Sequence, residues 1–126
     1  MNDDQAVAVF QKEAGAAGLA FLEEMRAIDP GFADLLVRGV YGLVWSRPGL
    51  DLKTRELVAI ASLTTLGGAD TLLASRVGAA KHLGLSRQEI TEVIVQCAIH
   101  AGFPAAVKAL RIMRDTYDAD TSEGRR

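Results

Sequence analysis

Cysteine occurs once in the 126 residues, at Cys97. A single thiol cannot close an internal disulfide, which fits a reducing compartment. An excess of charge of one sign is also lacking. The formal net charge is −2 and the pI about 5.6, so no electrostatic argument favours nucleic acid or an anionic membrane as partner. No apolar run approaches the length of a membrane span. The first residues, MNDDQAVAVF, carry neither a basic n-region nor a long apolar h-region, so no secretion signal is expected. No segment reads as a strand, and no repeat or low-complexity stretch divides the chain. These absences predict a soluble, cytoplasmic, all-α single domain over residues 1–126.

What is present is helical periodicity. Val7, Phe10, Ala14, Ala17, Phe21, Met25 and Ile28 recur at three- and four-residue steps, interrupted by Gly15 and Gly18. Asp29-Pro30 supplies a cap and a first helical residue for a second helix reaching about Trp45. That helix is expected to bury Phe32, Leu35, Leu36, Val40 and Leu43. Asp51 caps a third helix, which stops at Gly67-Gly68; a fourth ends before Gly84. Ser86-Arg87-Gln88-Glu89 has capping-box spacing and opens a fifth helix to about Ala101. Gly102 ends it, and Pro104 opens a sixth reaching about Asp118. The polar residues 119–126 are expected to form a frayed tail. About six helices should therefore pack as one bundle.

Two charges lie on apolar stripes. In the third helix, Glu56 shares a face with Leu52, Ala59, Ile60, Leu63 and Leu66; in the fourth, Arg76 shares one with Leu72, Ala79, Ala80 and Leu83. An ionised group there needs a partner or water. One reading is a structural interhelix ion pair, or an arginine that snorkels to solvent. The other is a pocket in which Arg76 holds a carboxylate and Glu56 orients it or moves a proton. His100 sits at the edge of the fifth helix's stripe (Ile90, Val93, Ile94, Cys97, Ala98, Ala101), suited either to packing or to proton transfer. Cys97 reads as a small core residue, and a metal site with His100 lacks further ligands. His82, near the end of the fourth helix, reads as structural. Trp45 and Tyr41 are one turn apart and fit a core better than a ligand platform. Arg47, in a Pro-Gly loop, is a solvated charge or a residue aimed at an anion.

The stretches LDLKTRELVAIASLTTLGG, GLSRQEITEVIVQ and AGFPAAVKAL, with VWSRPGLDLKTREL leading in, resemble the carboxymuconolactone decarboxylase family. The resemblance is close over about residues 41–110. It implies an alkylhydroperoxidase-like helical protomer, a ring-like homotrimer or homohexamer, and cofactor-independent loss of CO₂ from a lactone such as 4-carboxymuconolactone. Glu56, Arg76 and His100 would then be catalytic, with Arg47, Trp45, Ser75 and Phe103 contacting substrate. Two departures stand out. The family's decarboxylases carry a histidine in the fourth helix; here Ser75 or Arg76 takes that place, and His100 stands where the family tends to have tyrosine. The peroxidase relatives carry Cys-x-x-Cys beyond the glutamate matching Glu56, and this chain has GGADTLLASR there. That weakens the alternative of a thiol-dependent peroxidase. A non-catalytic, oligomeric small-molecule-binding scaffold is the other alternative.

Overall fold

The computed structural model describes the backbone of residues 3–123. It leaves out the side chains of Asp3, Asp4, Ala6, Val7, Gln11, Ala14, Ala16, Ala17 and residues 120–123. The expected packing of Val7, Ala14 and Ala17 therefore lies outside the described residues. The described elements are α1 (Asp3–Ile28), α2 (Pro30–Leu35) with a π-wound continuation (Leu36–Trp45), α3 (Leu52–Leu66), α4 (Asp70–His82), α5 (Arg87–Ala101) and α6 (Phe103–Glu123). No strand occurs among the described residues, so the all-α reading holds. The residues group into two compact units, 1–52 and 53–126, each with its own apolar cluster.

In the first unit, α1 is broken at Gly15, whose φ of 64° and ψ of −162° suit only glycine. Asp29 accepts from the Gly31 N–H at 3.2 Å and Pro30 opens α2, as the IDPG sequence predicts. Phe10, Leu22, Ala33, Val37 and Tyr41 form the core, with Trp45 half-buried beside them. The Phe10 ring meets the Tyr41 ring edge-on at 4.7 Å. This corrects the expected face of the second helix: Phe32, Leu35 and Leu43 are exposed. Apolar residues surround this helix on several sides, so its sequence left two faces eligible. Contact with α1 selected the four-residue step Ala33-Val37-Tyr41.

In the second unit, Ile60, Leu73, Val77, Ala80, Leu85, Ile90, Ile94, Ala106, Ala109 and Met113 make the core. Leu66 and Leu72, expected inside, are exposed, and Leu73 and Val77 are buried instead. The rest of the two expected stripes is buried or half-buried, with Glu56, Ile60, Ala79 and Ala80 buried, so the misses lie at the end of α3 and the start of α4. The helix ends follow the local chemistry. Leu85 N–H bonds to Ala80 O and Gly84 N–H to Lys81 O, both at 3.0 Å, and Gly84 has φ 92°, which together make a Schellman cap. Ser86 and Glu89 form the reciprocal capping box of α5, with both bonds at 3.0 Å.

α6 packs on α4 and α5 and continues past Asp118 to Glu123, beyond its expected end. Tertiary contacts hold the helix up to its expected end. Lys81 Nζ donates to Tyr117 O (2.6 Å), Tyr117 Oη donates to Leu85 O (2.9 Å), and Arg87 grips Asp118 with two bonds of 3.0 and 3.3 Å. Tyr117 and Asp118 are thus tied to the α4–α5 turn.

Ile94 is fully buried in this core. Ile94→Ala should lower unfolding stability by about 3 kcal/mol in denaturant titration. Hydrogen bonds from the Ser86 backbone and then its side chain hold Glu89 below the ordinary carboxylate range, and the side-chain bond to Arg87 does the same for Asp118. Folded values below unfolded ones add stability above the unfolded values of 4.5 and 3.8, and this is lost as pH falls through the folded values. Thermal midpoints measured below pH 4.5 should therefore fall less steeply in Glu89→Gln/Asp118→Asn than in the native chain.

Candidate active site

Glu56 lies one turn inside α3 and four residues before Ile60, so the winding that buries Ile60 buries the carboxylate as well. Its side chain is 0% exposed. Arg76, midway along α4 among Leu73, Val77, Ala79 and Ala80, reaches it: Arg76 Nη1 donates to Glu56 Oε1 at 3.0 Å, with 13% of the arginine side chain exposed. The two charges that sequence placed on separate apolar stripes therefore meet. A guanidinium has five donors and a carboxylate four acceptor sites, so this bond occupies a fraction of either group's capacity.

The other sequence candidates fall differently. Ser75, beside Arg76 in α4, is exposed. His100 is exposed in the last turn of α5 and makes no hydrogen bond or ion pair among the described residues. Phe103, just past Gly102, is 78% exposed. Gly102 has φ 93° and its N–H bonds to Ala98 O, so this glycine ends α5 as the HAGFP sequence suggests. Cys97 is half-buried, its thiol 3.7 Å from Ala61 O, as a core-lining residue would be. His82 is exposed in the last turn of α4.

In the first unit, Trp45 is half-buried, its ring 6.1 Å from that of Tyr41. Arg47 is exposed, its backbone N–H bonded to Val44 O at 3.1 Å. Sequence reasoning passed over Glu13, which is fully buried in α1. The signal was available: Glu13 is three residues beyond core residue Phe10, on the same side of the helix. Thr64, two turns beyond Glu56 on the same face, is also buried and was not singled out. Among the described residues, no group of three or more His, Cys, Asp or Glu side chains is arranged to hold a metal.

The carboxymuconolactone decarboxylase family profile matches residues 30–115, more than half of the chain. This chain belongs to the carboxymuconolactone decarboxylase family. Glu56 and Arg76 both lie inside the matched region. The 4-carboxymuconolactone decarboxylase of Acinetobacter baylyi is 35% identical over 96 residues, covering 76% of this chain and 71% of that protein. The nitrosuccinic acid decarboxylase of Metarhizium robertsii is 28% identical over 92 residues, 72% of this chain and 63% of that one. An uncharacterized 15.0 kDa protein of Paracoccus denitrificans is 37% identical over 84 residues, 66% and 63% of the two chains. Family membership and relatives named for decarboxylation together support a decarboxylase-type function for this chain.

Removing one member of a buried pair takes from the other an opposite charge that offsets its desolvation. Arg76→Met should cost about 3 kcal/mol in unfolding stability. Pairing it with Glu56→Gln should cost at least ~1 kcal/mol less than the two single losses added. Strict additivity in that double-mutant cycle would show that the two side chains are not coupled.

Proposed function

We propose that this chain is a cofactor-independent decarboxylase of a small carboxylated lactone, with 4-carboxymuconolactone the reference substrate. The observation that carries the reading is the buried Glu56–Arg76 pair, which lies within the region matched to a decarboxylase family. The two relatives named as decarboxylases act, by their names, on different acids, so the shared step is loss of CO₂ rather than recognition of one ring.

The chemistry asks little of a protein beyond charge and a proton. The bond from carbon to the carboxylate breaks, CO₂ leaves, and the bonding electron pair enters the lactone's conjugated system. A proton then returns at carbon. Arg76, permanently charged and capable of bidentate contact, suits the substrate carboxylate or the enolate that replaces it. Glu56 orients Arg76 and is one of the two candidate proton carriers. His100 is the ionisable imidazole of α5 in a chain whose α4 has none at the family position, and it is assigned the proton return. Arg47, Trp45, Ser75 and Phe103 are assigned to substrate contact. Self-association as a homotrimer or homohexamer and a cytoplasmic location belong to the same reading. No helix among the described residues is long and apolar enough to cross a membrane.

A second reading draws on the closed state of the pair. With Arg76 already bonded to Glu56, the fold could serve as a ligand-binding scaffold that has lost turnover. CO₂ release and loss of ultraviolet absorbance with 4-carboxymuconolactone separate the two. The native chain should turn over, with Glu56→Gln and His100→Ala each slower by about 100-fold or more. Circular dichroism should show both variants folded. A native chain that binds the lactone without releasing CO₂ would establish the scaffold instead. Arg76→Ala that raises KM with kcat unchanged would restrict Arg76 to uniform substrate binding.

A further inference from the structure

The second unit carries a groove that the decarboxylation reading does not use. It lies between the first turns of α5 and the middle of α6, and Arg87, Thr91, Leu110, Arg111, Met113 and Arg114 line its volume of about 260 Å³. Three guanidiniums around one small groove is an unusual concentration in a chain of net charge −2.

Two of the three arginines are held in place by carboxylates. Arg87 makes a two-bond fork to Asp118, and Arg114 Nε bonds to Asp115 at 2.9 Å. Each of those arginines keeps further N–H donors beyond these bonds. Arg111 makes no ion pair or hydrogen bond among the described residues, so its charge is the uncompensated one. Three arginines set against two aspartates leave the cluster formally cationic. Thr91 spends its hydroxyl proton on Arg87 O at 2.7 Å and faces a ligand only as an acceptor. An anion must therefore be held by guanidinium. The rest of the lining is apolar: Met113 belongs to the core and Leu110 packs against it.

We infer that this groove binds a small organic carboxylate with an apolar body, its carboxylate on Arg111 and its flanking arginines, its body on Leu110 and Met113. The planar guanidinium fork matches a carboxylate. The volume is below the range for drug-sized ligands, which limits the body to about one ring. The groove is open to solvent, so its electrostatic part is screened and binding weakens as salt is raised. The proposal stands apart from the Glu56–Arg76 pair and does not depend on what that pair does.

The test is a titration of the full chain, followed by ¹H–¹⁵N correlation spectra, with benzoate, benzyl alcohol and inorganic phosphate in turn. Benzoate should give saturable shifts at Arg87, Thr91, Arg111 and Arg114. Arg111→Gln should weaken benzoate at least about fivefold, a loss of roughly 1 kcal/mol. Lys108→Gln removes an exposed cation of the same helix that is paired with Asp70, and should change benzoate affinity by less than about twofold. Phosphate binding as tightly as benzoate would reduce the groove to a general anion site and overturn the apolar half of the proposal. Benzyl alcohol binding equally well, or benzoate binding unchanged in Arg111→Gln, would overturn the ionic half.

Discussion

A carboxylate with no solvent exposure is the most demanding feature of the second unit, and the helices around it are arranged to meet that demand. Glu56 is carried inside by the same turn of α3 that carries Ile60. Desolvating its charge costs several kcal/mol unless an opposite charge and hydrogen bonds offset it. Arg76 does so from α4, which ties the two helices together at that point. A pair of this kind is weak evidence for stability, because apolar residues of similar volume often hold a core as well. What it provides is a permanent cation and a carboxylate in a poorly hydrated place, where each acts more strongly on a third charge than it would in water. That property suits the proposed decarboxylation, whose transient is a delocalised negative charge.

The surrounding architecture is built from local devices that need no long-range help. The capping box at Ser86–Glu89 and the Schellman turn at Gly84 define the α4–α5 corner within a few residues. That corner then anchors α6 through Lys81, Leu85 and Arg87. The same Arg87 helps line the cationic groove, so the contact that secures the end of α6 also orients one wall of a binding surface. Capping, anchoring and ligand recognition share residues here because arginine offers more donors than one carboxylate can take.

The departure at the family's histidine position acquires a physical meaning in this setting. A histidine in α4 could both bind and donate a proton. With Ser75 or Arg76 in its place, the proposed decarboxylation divides these two tasks, since arginine binds a carboxylate well and donates poorly at neutral pH. His100, to which the proposed reading gives the proton return, is solvent-exposed beside the Gly102 turn. The single cysteine packs against Ala61, leaving no thiol pair for peroxide chemistry of the Cys-x-x-Cys kind.

Much of this was legible in the sequence. Asp29-Pro30, Gly67-Gly68, Gly84, Ser86–Glu89 and Gly102 announced the helix boundaries, because caps and left-handed turns depend on one or two residues and their immediate neighbours. Glu56 and Arg76 stood out as charges on apolar stripes for the same local reason. The sequence could not decide whether they met, since that depends on how α3 and α4 pack. Nor could it choose the inner face of α2, or see that Leu73 and Val77 rather than Leu72 are buried in α4, where apolar residues lie on several sides and the neighbouring helices select among them. The burial of Glu13 and the gathering of Arg87, Arg111 and Arg114 were likewise settled by tertiary contacts. Each of these is a relation between residues distant in the chain or on different helices, and periodicity within one helix carries no information about its partner.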